Sequence, residues 1–260
     1  MPQIISQCDL RRISRLQFCC ICGHDFDATD ARDRQHVPPR CIFNVKDRHC
    51  PLILSAHKQC NQMQSSSDEM IGQLVAVIHN TYPRAGTERL RVQTFRNGAE
   101  EFTAVNWFPV SSIIQQWVVA FHCALYRSFP ALTQRGRWEI FDPLPDEDEI
   151  SGVAGRFRVP ERRFKLVKFL KAQRCAGKVD RVVTNNGKCE YLCTWNRASE
   201  REWWCTFGLR LYSWEELGDP RGGSRGCVGT YSASLPVGAT CATELIIPTA
   251  NFEPLDPFGR

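Results

Sequence analysis

The chain contains no run of eighteen apolar residues, the length at which a bilayer-spanning helix becomes plausible, so no membrane association is expected. Its opening stretch, MPQIISQCDLRRISRL, lacks the uninterrupted apolar core of a secretory signal, which makes the cytoplasm the expected location. No internal repeat or low-complexity tract occurs, so repeat architectures are excluded. Nor is the charge strongly one-sided. The formal net charge is +5 and the pI about 8.5, a mild basic balance that suits a nucleic-acid partner without requiring one.

What remains is globular in character: 260 residues, 43% apolar and 23% charged, enough for one large domain or two of ordinary size. Against that ordinary background the 14 cysteines stand out. In a reducing compartment so many thiols point to metal binding before disulfides. Those after residue 120 mostly sit singly among apolar residues and are expected to act as small buried hydrophobes. Cys189 and Cys193 would share one face of a strand, but no matching pair follows them.

Cys19-x-x-Cys22 is matched further along by His57-x-x-Cys60. Two pairs with two-residue gaps supply four ligands, which suit tetrahedral zinc with no open position and hence a structural ion. Such an ion would tie the start of a loop-rich, proline-bearing segment to its end, where the local core is poor. Cys20, Cys41 and Cys50 are rival ligands. Between the pairs lies Gln35-His36-Val37-Pro38-Pro39, and Asn61 follows Cys60 directly.

Outside this segment the patterning is conventional. Residues 1–17 form a basic lead-in. Ser66 and Ser67 before Asp68 and Glu69 mark a helix start, continued by Ile71, Leu74, Val75 and Ile78 at helical spacing to about Asn80. Two strands, RLRVQTF and EFTAVNWF, flank Arg96-Asn97-Gly98, and a second amphipathic helix runs from about Ser112 to Tyr126. Residues 142–155 are acidic with Pro and Gly and read as a linker or exposed loop, where the domain boundary is expected. A basic segment follows, in which Phe164, Val167 and Leu170 recur at helical spacing. Its charges, Arg162, Arg163, Lys165, Lys168, Lys171 and Arg174 among them, would lie on the other side and could follow a phosphate backbone. RVVT, Asn185-Asn186-Gly187, CEYLCTW and EWWCTFGLRLY then alternate like antiparallel sheet. Trp195, Trp203, Trp204 and Trp214 are read as core in preference to a stacking platform for bases. Of the histidines, His24, His49, His79 and His122 are read as structural. The last forty residues carry no assignable pattern.

The order C-x-x-C, x-H-V-x-P, H-x-x-C-N and S-x-D-E, over about residues 17–75, resembles the HNH endonuclease family. The resemblance implies an α+β fold: an N-terminal ββα-metal (HNH) finger with a helical extension, then a β-rich C-terminal domain. The corresponding segments are 1–80, 81–145 and 150–260. It also implies metal-dependent hydrolysis of phosphodiester bonds, with double-stranded DNA as the family's usual partner, as in bacterial or phage restriction, homing and defence enzymes. By position, His36 matches the general base that takes a proton from the attacking water. Asn61 matches a ligand of the catalytic divalent cation, Mg²⁺ or another, which acts as a Lewis acid on the phosphate. Zinc would be held by Cys19, Cys22, His57 and Cys60.

Two departures stand out. The residue before the histidine is Gln35 where the family has an acid, so the cation loses an anionic ligand unless Asp33 reaches in. The family's middle asparagine falls near Leu52. A homodimer would answer the need for two cuts in a duplex. The alternative expectation is a zinc-stabilised nucleic-acid-binding protein without catalysis.

Overall fold

The computed structural model describes residues 2–43, 45–78, 91–97, 100–106, 110–130, 138–141, 161–197, 203–213 and 224–242. The strands are β1 (Gln3–Ile4), β2 (Arg32–Val37), β3 (Leu52–His57), β4 (Arg91–Asn97), β5 (Glu100–Asn106), β6 (Trp138–Phe141), β7 (Asp180–Thr184), β8 (Cys189–Arg197), β9 (Trp203–Ser213) and β10 (Ser224–Ala233). The helices are α1 (Gln7–Ile13), α2 (Lys58–Ile78), α3 (Val110–Tyr126) and α4 (Glu161–Cys175). Helices and sheets are both extensive, and the class is α+β as expected. The proposed linker at 142–155, together with Trp214 and His79, falls outside the described residues.

Six strands form one sheet in the order β1-β7-β8-β9-β10-β6, antiparallel throughout except for the parallel pair β1–β7. It draws on all three expected segments, since β1 lies near the N-terminus and β6 precedes the linker. Strand alternation divides the sheet's two faces. Cys189, Tyr191, Cys193 and Trp195 of β8 are buried in the main core, where Tyr191 stacks on Phe121 of α3 at a ring separation of 4.8 Å. Glu190 and Leu192 face the other way, toward α4, whose Leu166 and Leu170 pack with Val228. α3 and α4 thus cover opposite faces.

β2 and β3 make a separate antiparallel pair, with Gln35 opposite Leu54 and His36 opposite Ile53. The segment is more ordered than its prolines suggest. Every second residue of β3, Leu52, Leu54 and Ala56, is fully buried, and these join the same core as α3 and the sheet. Three apolar positions in period two were too short a signal to separate from loop.

α2 begins at Lys58, directly off β3, well before the Ser-Ser-Asp-Glu signature. Inside this helix Ser65, next to the expected cap residues Ser66 and Ser67, donates its hydroxyl to the Gln62 carbonyl at 2.8 Å and is accommodated in mid-helix by bonding back one turn. A capping box stands at the start of the chain. Ser6 caps the Asp9 amide and Asp9 reaches back to the Ser6 amide, forming α1 inside the basic lead-in. The strand pair β4–β5 and helices α3 and α4 fall where the spacing predicts, as does the left-handed turn at Asn185 and Asn186 between β7 and β8. Among the described side chains of α4 the buried ones are Leu166, Phe169 and Leu170; Leu170 belongs to the predicted stripe, and Val167 packs partly buried beside it. The unassigned C-terminal region supplies β10.

Candidate metal centre and its neighbourhood

Cys19 and Cys22 lie in a tight knuckle ahead of β2. The Gly23 amide donates to the Cys19 carbonyl at 2.9 Å, and Gly23 has φ of +80°, a conformation open to glycine. A β-carbon there would also strike the Phe129 ring at 2.7 Å. His57 closes β3 and Cys60 lies in the first turn of α2, so a strand end and a helix start present the other two donors one turn apart.

The four donor atoms of Cys19, Cys22, His57 and Cys60 lie within 4.8 Å of one another, a grouping that could hold a metal ion and the single such group among the described residues. His57 Nδ1 is 3.4 Å from Cys22 Sγ and 3.9 Å from Cys60 Sγ. Tetrahedral zinc, with Zn–S of about 2.3 Å and Zn–N of about 2.0 Å, needs a sulfur–nitrogen edge of about 3.6 Å, so the donor set fits. Burial works against a Cys19 thiolate, but backbone N–H groups of Cys22, His57 and Ile21 aimed at its sulfur outweigh burial and lower its pKa. Cys60 is pushed up to about 12, by burial and then by the neighbouring thiolates. A divalent cation among them would reverse that repulsion.

Cys20, Cys41 and Cys50 are not among the four grouped donors, and Cys50 lines the cleft beside α1. Cys20 is buried in the core and its pKa is raised by burial. Cys41 places its sulfur 3.0 Å from the Asp68 carbonyl, and packs so close to Gly72 of α2 that a β-carbon there would meet it at 2.9 Å. Cys123, Cys189, Cys193, Cys205 and Cys227 are buried, as small hydrophobes should be, whereas Cys175 and Cys241 are exposed.

One residue of this centre went unnoticed in the sequence. Asp30 Oδ2 lies 3.2 Å from His57 Nε2, the ring nitrogen turned away from the sulfurs. A carboxylate there fixes the tautomer that leaves Nδ1 as the metal-facing donor. Phe26 holds the same ring edge-on at 4.8 Å, and the Arg32 guanidinium sits 4.5 Å above Phe26. The signal was present as an Asp one residue before the Ala31-Arg32 entry to β2, but only folding reveals what it touches.

Asn61 lies one residue beyond Cys60, and its amide nitrogen is 2.8 Å from Asp33 Oδ2 across the β2–α2 interface. That bond, then the Arg34 amide, holds the Asp33 carboxyl below its usual range. Amide nitrogen and oxygen exchange places by a half-turn of the side chain. With the Asn61 oxygen turned toward Asp33, their spacing suits two neighbouring ligands of an octahedral cation, whose edge is about 2.9 Å for Mg²⁺.

Gln35 does not join them. It is buried, its amide nitrogen lies 3.3 Å from the His36 carbonyl, and it bonds Asp68, whose pKa burial raises to about 6 against that bond. Strand alternation places Asp33, Gln35 and Val37 on the face toward α2, and Arg34 and His36 on the opposite face. The imidazole is half-buried, and its pKa is lowered by burial and then by the charges of Arg40 and Arg34, with Asp33 opposing. It is therefore uncharged near neutral pH and able to accept a proton.

Between α1 and the outer face of β2–β3 lies a cleft of about 610 Å³ lined by Arg11, Arg15, Arg32 and Arg34, with Asp33 and Ser55. Arg11 and Arg15 belong to the basic lead-in, Arg11 on α1 and Arg15 just past it, while Arg32 and Arg34 occupy alternate positions of β2, and only the fold brings the four together. On α4, Lys165, Lys168, Lys171 and Arg174 are exposed, opposite the buried Leu166 and Phe169. Arg162 and Arg163 lie in its first turn, with side chains outside the described set. Of the other histidines, His24 and His49 are exposed, and His122 is buried with Nδ1 2.8 Å from the Tyr231 hydroxyl. Trp195 and Trp204 belong to the interior.

Comparison with protein-family models, curated proteins and solved structures finds no match to this chain.

Proposed function

We propose that the chain is a metal-dependent endonuclease of the HNH type, hydrolysing phosphodiester bonds in double-stranded DNA. The observation that carries this is the sequence β2, β3, α2 with a zinc-fit Cys₃His set at its ends and Asn61 bound to Asp33 immediately beside it. In this reading zinc is structural and holds the β2–β3 pair to α2. A divalent cation on Asp33 and Asn61 would supply Lewis-acid stabilisation of phosphate charge. His36, neutral and half-buried, takes the proton of the attacking water at its ring nitrogen. Asp33 takes the place of the acid that the family carries at position 35. β2 pairs only with β3 among the described strands, so its other edge has no strand partner. A phosphate at that edge can meet side chains of both faces, Asp33 from one and His36 from the other. The arginine-lined cleft and the basic face of α4 supply charge for a nucleic-acid backbone.

A second reading is a zinc-stabilised nucleic-acid-binding protein without catalysis. The inward turn of Gln35 toward Asp68, on the face opposite His36, favours it. A plasmid-nicking assay separates the two. With added Mg²⁺ the wild type is expected to nick and EDTA to stop it; His36→Ala and Asn61→Ala should not nick while keeping one zinc per chain. Equal cutting by wild type and His36→Ala removes the imidazole from the mechanism. Tight binding with no cutting under any divalent metal selects the second reading. Sedimentation of the protein on a duplex would show whether two copies act together.

A further inference from the structure

Glu190 is a charged side chain on the central strand β8, yet it is only 1% exposed. It is surrounded by three guanidiniums from three elements. Arg181 of β7 meets its Oε1 through Nε at 2.7 Å, and Arg174 of α4 meets the same oxygen at 3.3 Å. Arg210 of β9 is its direct cross-strand neighbour, with Nε 3.2 Å from Oε2. A single arginine held by two parallel hydrogen bonds would satisfy one buried carboxylate. Here, among the described residues, one carboxylate faces three guanidiniums, a local excess of two positive charges in mutual repulsion. Arg174, Arg181 and Arg210 keep 51%, 32% and 42% of their side-chain surface exposed, so the cluster is anchored from below and open from above.

Beside it lies a cavity of about 180 Å³ whose floor is apolar, made by Val167, Leu170, Leu192 and Val228. An anion with an uncharged, flat or apolar body would match both parts. Guanidiniums fixed by a buried carboxylate present their outer N–H groups without first losing side-chain freedom, and the planar fork suits phosphate oxygens.

We propose that the Arg174–Arg181–Arg210 cluster on Glu190 is a binding site for a phosphomonoester, such as a nucleotide or the 5′-phosphate end of a nucleic acid. The two excess charges match a group that is close to dianionic above its second pKa of about 6, where a backbone diester carries one charge. The site lies on the face of the sheet opposite α3 and depends in no way on cleavage by the finger.

The test is calorimetry at low salt with adenosine 5′-monophosphate, adenosine, inorganic phosphate, and an oligonucleotide with and without its 5′-phosphate. The wild type should bind the monophosphate saturably with a dissociation constant below ~1 mM, and adenosine should not bind. Arg174→Gln leaves Glu190 two guanidiniums and should preserve the fold while weakening the monophosphate by ~10-fold; Arg210→Gln should do at least as much. Arg12→Gln removes an equal charge from α1, where the Arg12 carbonyl meets Arg127 just past α3 on the other face of the sheet, and should change binding by less than ~2-fold. Free nucleotide and 5′-end are separated by which of the two ligands binds more tightly. Two results overturn the proposal: no saturable binding of the monophosphate to the wild type, or equal weakening by Arg12→Gln and Arg174→Gln. His36→Ala should bind the monophosphate as the wild type does, whether or not it cuts DNA.

Discussion

The segment from Cys19 to Asn61 and the six-stranded sheet achieve order by different means. The sheet is held by burial. Tyr191, Cys193, Trp195, Cys205 and Phe207 are excluded from solvent on the face under α3, and the register between β8 and β9 runs unbroken for nine pairs. The segment from Cys19 to Asn61 also buries apolar residues, Leu52, Leu54 and Ala56 of β3 with Val37, Ile42 and Phe43, but its two ends meet through four donors that could hold a metal ion. Both regions feed one continuous core, and only the segment has coordination to add to apolar area. Sequence patterning detects the first kind of order readily and the second only through ligand spacing.

The largest expected effect separates the two directly. A structural zinc contributes an apparent ~10–16 kcal/mol of binding free energy in small finger peptides. Stripping it with a strong chelator, or replacing Cys19 with Ser, should abolish amide-exchange protection in β2, β3 and the first turn of α2. Protection in β8 and β9 should survive. Loss of protection in both regions at the same chelator concentration would mean that the shared core, not the ion, sets the stability of each. A soluble Cys19→Ser protein with normal zinc content would remove Cys19 from the ligand set.

Reversing the experiment attacks burial. Trp195 has no exposed surface, and its indole N–H donates to the Tyr126 hydroxyl at 2.9 Å; that hydroxyl in turn donates to buried Asp180 at 2.7 Å. Trp195→Ala should cost ~3–5 kcal/mol in chemical unfolding while zinc stoichiometry stays at one. Zinc loss on this substitution would show that the centre depends on the sheet behind it.

Much of this contrast was legible in advance, for physical reasons that differ by element. α3 and the β7–β8 turn were readable because periodicity, Asn185-Asn186-Gly187 and burial all agree. The quartet Cys19, Cys22, His57 and Cys60 was readable because ligand geometry forces short gaps within each pair. β2 and β3 were not, since strands of six residues beside prolines and polar ligands carry little periodic signal. The roles of Asp30, Glu190 and the cleft arginines were not legible, because they exist only between elements distant in sequence, although Arg11 and Arg15 already marked a basic lead-in. Gln35 shows the limit of position-matching. The motif aligns it with a metal ligand, yet packing turns it toward Asp68, and Asp33 takes the place beside Asn61.

Acid should sharpen the comparison further. Burial lowers the His122 pKa to about 3, against about 6.5 for a free imidazole. The unfolded chain therefore takes up a proton below pH 6.5 that the folded chain refuses. The stability contribution of neutral His122 is complete above pH 6.5 and is lost progressively as pH falls toward 3. At pH 4.5 the expected loss is about 3 kcal/mol relative to pH 7. Zinc release, which also occurs in acid, is common to wild type and His122→Asn, so the difference between their pH slopes isolates the buried imidazole. Identical slopes would mean that His122 is protonated in the folded state.

The smallest effect probes the edge of the metal centre itself. Asp30→Asn keeps the size of the side chain but removes the charge facing His57 Nε2. If the carboxylate orients the ring and raises the basicity of Nδ1, zinc affinity should fall ~10- to 100-fold in chelator competition, with the fold and the one-to-one stoichiometry retained. The same variant leaves the Asp33–Asn61 pair untouched, so DNA nicking at saturating zinc should equal that of the wild type. An unchanged affinity would make Asp30 an ordinary surface partner, half free to leave the ring, and would place the whole orientation of His57 on Phe26 and the strand end of β3. A drop in nicking at full zinc occupancy would carry a different lesson: that the angle at which His57 holds the start of α2 is transmitted one residue past Cys60 to Asn61, joining the structural ion to the candidate catalytic pair.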